Sequence, residues 1–167
     1  KIPRSQEQDR PDVQEQRQQF CAKLAGVDPR RLVFVDESGA NTAMTRTHGR
    51  APVGQRVYTN TPGRWESITM TCGLRLSGVT APLAFRGATN TDIFETYVQE
   101  VLVPELKPGD VVIWDNLKPH KSEEAIEAIE ATGARVEPLP PWSPDLTPIE
   151  EMVSKVKGAM RSAAART

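Results

Sequence analysis

Three acidic residues stand where chemistry could use them. Asp36 (in VFVDES) and Asp115 (in VVIWDN) each stop a short apolar run, and Glu150 (in PPWSPDLTPIEE) opens a helix after a proline-pinned loop. The 34 residues from Asn116 through Ile149 separate Asp115 from Glu150, room for a helix, a short strand and a rigid loop. Two like charges at 4 Å repel by roughly 4 kcal/mol at an effective dielectric near 20, so three converging carboxylates need a cation. Hard oxygen ligands select Mg²⁺ or Mn²⁺ over softer metals. Two such ions about 3.5–4 Å apart activate a water or hydroxyl and stabilise the leaving oxygen of a phosphodiester. That is phosphoryl transfer without a protein nucleophile.

Taken singly, each acid has an ordinary explanation. Asp36 and Asp115 suit turns after strands. Thr147-Pro148-Ile149-Glu150 reads as a capping box, with Thr147 as N-cap and Glu150 reaching back. The joint arrangement favours a site: two aspartates on strand ends and a glutamate in a helix's first turn. On that last helix Ile149, Met152, Val153, Val156 and Met160 form the stripe expected to be buried, whereas Glu150, Ser154, Lys157 and Arg161 share another face. Lys157 and Arg161 suit a phosphate or, equally, the helix's negative C-terminus. Arg46, His48, Arg50 and Arg56 crowd one polar loop, which reads as solvated or as a grip on a phosphate backbone. Glu37 and Glu151 adjoin the proposed ligands, and spacing alone excludes neither. Asp145 is expected to organise the proline loop, and Trp114 and Trp142 to anchor core or loop, with Trp142 also able to stack on a base.

The elements that must position these groups are readable. Residues 1–10 look irregular, and a weakly amphipathic helix runs from Pro11 to Gly26. Residues 31–35 read as a buried strand ending at Asp36. SITMTCGLRL and VTAPLAF form a hairpin about a Ser77-Gly78 turn, Pro82 marking an edge or a bulge. Thr91 caps a helix striped by Ile93, Phe94, Tyr97, Val98, Val101 and Leu102. VVIW is a strand, a helix runs from about Ser122 to Thr132, and ARVEPL is a final short strand. A hairpin followed by β-α-β-α implies an α/β fold, a mixed sheet flanked by helices. If the strands ending in Asp36 and Asp115 are parallel neighbours, both aspartates emerge at the sheet's carboxyl edge.

With 167 residues and 38% hydrophobic content the chain fits one domain. Residues 1–30 read as a connector segment and helix, and residues 31–167 as the catalytic domain. A net charge of −1 argues against a module whose bulk field seizes nucleic acid, so DNA contact would rest on local basic clusters. No apolar run reaches membrane-span length, and the polar start, KIPRSQEQDRPD, is no secretory signal. Cys21 and Cys72 are too few for a disulfide framework or a zinc site, which fits a reducing cytoplasm.

VDES, then WDN with His120 five positions after Asp115, then LPPWSPDLTPIE together resemble the catalytic core of DDE transposases of the mariner superfamily, in its bacterial insertion-sequence branch. DRPD near the start and GRAPVGQRV resemble the same branch, and the likeness runs from about Asp9 to the C-terminus. The resemblance implies a ribonuclease-H-like fold, with Asp36, Asp115 and Glu150 as catalytic ligands to two Mg²⁺ ions (Mn²⁺ substituting). It implies DNA as partner, as transposon ends and as target, with hydrolytic nicking followed by attack of a 3′-hydroxyl. Asn116 and His120 match the motif and are expected to line the site behind the ligands or on DNA, together with Arg46, Arg50, Lys157 and Arg161. A homodimer on DNA and a cytoplasmic, nucleoid-associated location follow from the same likeness. Relatives carry N-terminal helix-turn-helix DNA-recognition modules, expected in the full-length protein and without room in this chain. Trp142 stands where many relatives have tyrosine. Two rivals are a ribonuclease-H-like nuclease without strand transfer and a non-catalytic domesticated relic acting as an interaction module.

Overall fold

The computed structural model describes residues 6–46 and 48–163. Its strands are β1 Leu32–Asn41, β2 Ser67–Arg75, β3 Gly78–Arg86, β4 Val111–Trp114 and β5 Arg135–Pro138; its helices are α1 Pro11–Leu24, α2 Thr91–Tyr97, α3 Glu123–Glu130 and α4 Ile149–Ala163. The strands form one sheet in the order β3-β2-β1-β4-β5. β1, β2 and β3 pair antiparallel, and β1, β4 and β5 pair parallel. Among the described residues no helix is long and apolar enough to cross a membrane.

Every residue of β4 is buried, as a parallel strand covered on both faces requires. On one face Val33, Val35, Val112 and Trp114 pack with Phe94, Tyr97 and Val98 and with Ala125 and Ile129 of α3. On the other, Val111 and Ile113 pack with Phe20 of α1 and Leu139, with Leu32 and Phe34 at the margin. A one-residue slip of β4 would send each set to the wrong face, so the two cores lock the register on which the site depends.

Local chemistry ends the elements. The Asn90 side chain accepts the Ile93 N–H and starts α2, which continues as a π-turn over Val98–Leu102 and a 3-10 turn over Val103–Glu105. Ser122 caps α3 by accepting the Ala125 N–H, and Glu123 and Glu124 sit at its positive end. Pro82 lies in the edge strand β3, opposite an irregularity between Thr71 and Gly73. An edge strand tolerates the missing donor.

Several sequence expectations need correction. β1 does not stop at Asp36: β2 hydrogen-bonds it as far as Asn41, so the aspartate sits mid-strand. The hairpin turns at Leu76-Ser77, with Gly78 already in β3. Asn90, not Thr91, caps α2. The capping box does not form, because the Met152 N–H bonds to the Pro148 carbonyl, placing the cap at Pro148. On α4 only Ile149 is buried, while Met152 and Val153 are half-buried and Val156 and Met160 are exposed. Residues 1–5 of the stretch expected to be irregular lie outside the described residues, and Gln6–Asp9 form a 3-10 turn.

Candidate active site

The parallel pairing of β1 with β4 joins Leu32 to Val111, Val33 to Val112 and Phe34 to Ile113. Carried two residues further, that register sets Asp36 opposite Asp115. β4 ends at Trp114, but β1 runs on, held on its other side by β2, where Asp36 faces Cys72. Asp36 is half-buried and accepts the Glu37 N–H at 2.7 Å. Burial pushes its carboxyl above the usual range, and the charges of Asp115 and Glu150 push it further. Asp115 and Glu150 thus both act on Asp36, against the opposing Glu37 N–H and the His120 ring.

Asp115 is differently placed. Its Oδ1 lies 2.6 Å from His120 Nδ1 and accepts the Leu117 N–H at 3.0 Å. Burial alone would raise its pKa, but the His120 and Leu117 hydrogen bonds outweigh it and hold the carboxyl below the ordinary value. Since a carboxylate only accepts, Nδ1 carries the proton. His120 is buried, its ring 4.4 Å from that of Phe94 and stacked on Trp114 at 5.5 Å. Asn116 is exposed, and its Nδ2 donates to the Leu139 carbonyl, while the Leu139 N–H donates to Trp114 O at 2.8 Å. These bonds tie the end of β4 to the start of the proline loop.

That loop is clamped from the N-terminal side. Gln8 Nε2 donates to the Trp142 carbonyl at 2.6 Å, and Arg17 grips Asp145 with both nitrogens, at 2.9 and 2.6 Å. The loop then delivers Glu150 into the first turn of α4 with its side chain exposed. Asp145 thus organises the loop as expected. Sequence reading missed its partners, because Gln8 and Arg17 lie more than a hundred residues upstream. The segment before β1 is more than a connector: Phe20 of α1 packs into the core.

The remaining candidates are dispersed. Arg46 is exposed and donates to the Ser162 carbonyl near the end of α4, Arg50 lies on the exposed loop after β1, and Lys157 and Arg161 are half-buried on α4. Among the described residues none of the four hydrogen-bonds or ion-pairs with Asp36, Asp115 or Glu150. Glu151 pairs with Lys155 on the exposed face of α4. Trp142 is exposed with a left-handed backbone, φ 56°. Glu37 alternates to the opposite face of β1 from Asp36.

The donor set suits a hard divalent cation: three carboxylates in one field, with Asp36 ionised only against burial and like charge. The geometry is open, however. Among the described residues no three His, Cys, Asp or Glu side chains stand close enough to hold an ion as they are. To hold a cation the three side chains would have to close on it.

Several solved structures share this fold. The Mos1 transposase paired-end complex with left transposon end superposes with a TM-score of 0.71 at 18% identity, covering 96% of this chain and 52% of that one. The catalytic domain of Mos1 mariner transposase gives 0.63 at 17% identity, covering 100% and 78%. The mariner Mos1 paired end complex with Mg gives 0.70 at 18% identity, covering 99% and 53%. The chain spans about half the length of the Mos1 chains in those complexes. No curated protein matches it significantly. The mixed five-stranded sheet flanked by helices is the ribonuclease-H-like fold of the Mos1 catalytic domain. Residues 31–167 match the profile of the DDE superfamily endonucleases, and the chain belongs to that family.

Proposed function

We propose that this chain is the catalytic domain of a DNA transposase of the mariner superfamily, in its bacterial insertion-sequence branch. It nicks transposon ends and joins them to target DNA with two Mg²⁺ ions, Mn²⁺ substituting. The reading is supported by the β1–β4 register, which points Asp36 and Asp115 to the same end of the sheet, and by the charges of Asp115 and Glu150 acting on Asp36. Neighbours of this fold were crystallised as a paired-end complex with Mn and as a strand transfer complex, which supports DNA and divalent metal as partners. In the full-length protein we expect an N-terminal helix-turn-helix region to recognise the ends, and the active complex to be a homodimer on DNA in the cytoplasm.

Asp36, Asp115 and Glu150 would hold the ions, which supply Lewis acidity for the attacking and leaving oxygens. The protein's own part is placement. β1 and β4 set two carboxylates at fixed spacing, and the clamped proline loop brings the third. Asn116 braces the loop, and His120 orients Asp115. Arg46, Arg50, Lys157 and Arg161 are the cations proposed to meet the phosphate backbone, whose neutralisation makes binding salt-dependent.

Thermal melting with and without Mn²⁺ tests the metal site. We expect Mn²⁺ to raise the Tm of the wild type and Asp115→Ala to abolish the shift. No shift, together with no nicking of plasmid DNA, would point instead to a non-catalytic relic. Supplying pre-cut transposon ends separates transposase from plain nuclease, since only the former yields joined products.

A further inference from the structure

Directly behind the proposed metal site lies a second polar cluster that the mechanism above does not use. Four buried side-chain atoms lack a hydrogen-bond partner among the described residues: Glu37 Oε1, Thr89 Oγ1, Tyr97 OH and His120 Nε2. They belong to one place. The Glu37 carboxyl feels the His120 ring and lies beside the Thr89 hydroxyl, and Tyr97 in turn feels Glu37. His120 and Tyr97 are 2% and 1% exposed. Buried polar atoms without partners are rare in folded proteins, and their concentration at one point marks a built feature rather than scattered packing faults.

The position explains what the cluster can do. By strand alternation Glu37 projects to the face of Val33 and Val35, away from Asp36. On that face His120 is wedged between Phe94 and Trp114. One edge of the imidazole is committed, with Nδ1 at 2.6 Å from Asp115 Oδ1. The other edge, Nε2, is buried and unpartnered on the face to which Glu37 projects. We propose that Glu37 is a positioning residue: its carboxylate anchors the Nε2 edge of a His120 ring that donates from both nitrogens, and through Nδ1 His120 holds Asp115 in the orientation that metal capture requires. The proposed relay runs Glu37, His120, Asp115, from the buried face of the sheet to the proposed ion, with the His120–Asp115 link already made. A carboxylate behind an imidazole fixes ring orientation and the nitrogen that donates, and loss of such a support lowers metal affinity by about 10–100-fold. Because Asp115 is turned toward His120 and the three acids do not yet close on an ion, control of its rotamer bears directly on affinity. This inference rests on the metal-site reading above.

The test uses the whole chain and Mn²⁺ itself. The protein has only two histidines, His48 and His120, so ¹⁵N-histidine labelling reports on His120 with exposed His48 as internal control. We expect Glu37→Gln to keep the wild-type fold and to move the His120 nitrogen signals while leaving those of His48 in place. Titration calorimetry should show Mn²⁺ affinity reduced about tenfold. In a His120→Asn background, Glu37→Gln should cause no further loss. Glu37→Asp, which keeps the charge but draws it back by one methylene, should fall between wild type and Glu37→Gln, and it carries the same comparisons if Glu37→Gln unfolds. Unchanged Mn²⁺ affinity, unmoved His120 signals, or losses that add in the double variant would each overturn the proposal while leaving the metal site standing. A wild type that binds no Mn²⁺ would overturn both.

Discussion

Phe34 pairs with Ile113 in the parallel β1–β4 register, two residues short of Asp36 on one strand and of Asp115 beyond the end of the other. The two aspartates are unequal partners. His120 and the Leu117 N–H compensate Asp115, whereas burial and the neighbouring acids raise the pKa of Asp36. A site of this kind holds its negative charge under tension until a cation arrives.

Removing that charge should therefore stabilise the protein when no divalent metal is added. We expect Asp36→Asn to raise the Tm at neutral pH by about 2–4 °C, equivalent to roughly 1 kcal/mol for a chain of this size. The same substitution should erase the stabilisation by Mn²⁺. Melting curves with EDTA and with Mn²⁺ check both halves, and a destabilised variant with an intact Mn²⁺ shift would remove Asp36 from the ligand set.

Phe94 is both core and support. Its ring contacts His120 at 4.4 Å and meets Trp114 edge-on at 5.3 Å. Truncation to alanine should cost about 3–5 kcal/mol by urea unfolding. Ile129, equally buried in the same core, carries no ring to pack on His120. We expect Phe94→Ala to weaken Mn²⁺ binding and Ile129→Ala to leave it unchanged, both measured well below their melting temperatures.

The opposite pole carries a buried ion pair with no proposed catalytic part. Asp110 is 1% exposed, and its Oδ2 lies 2.7 Å from Arg75 Nη2 and accepts the Lys107 N–H. Arg75→Met strands most of that charge, since the remaining cation, Arg31, stands at 3.7 Å and is half exposed. A loss of about 3 kcal/mol in urea is expected, with the Mn²⁺ shift in Tm preserved.

The clamp on the proline loop sets one pH dependence. The Arg17 hydrogen bonds hold the Asp145 carboxyl below its ordinary value. The sign follows from linkage: a depressed carboxylate contributes stability that is present above its unfolded pKa and is lost as pH falls through the folded one. Asp145→Asn should lower the Tm at pH 7, the difference shrinking as pH drops below the usual carboxylate range. Because Asp145 is exposed and Arg17 only half-buried, about 1 kcal/mol or less is at stake.

Much of this was legible in the chain. VVIW reads as a strand from its unbroken apolar run, the hairpin from its β-branched arms and turn, and α3 from Ser122 and the two glutamates after it. The acidic trio stood out because carboxylates recur at the ends of apolar runs, and burial pattern is a local property. The path of the proline loop was legible only in part: its rigidity shows in five prolines, but not the Gln8 and Arg17 contacts that hold it.

What the one-dimensional order settled, then, is which residues bury, which bend the backbone, and which could carry a metal, since each follows from a side chain and its near neighbours. The tertiary structure alone decided that β2 carries β1 past Asp36, that β1 and β4 run parallel as neighbours, and that Glu37 lies on the face of Val33 and Val35. These are consequences of strand pairing between segments far apart in the chain. Register is fixed by the summed packing of two cores, and no local stretch contains that sum.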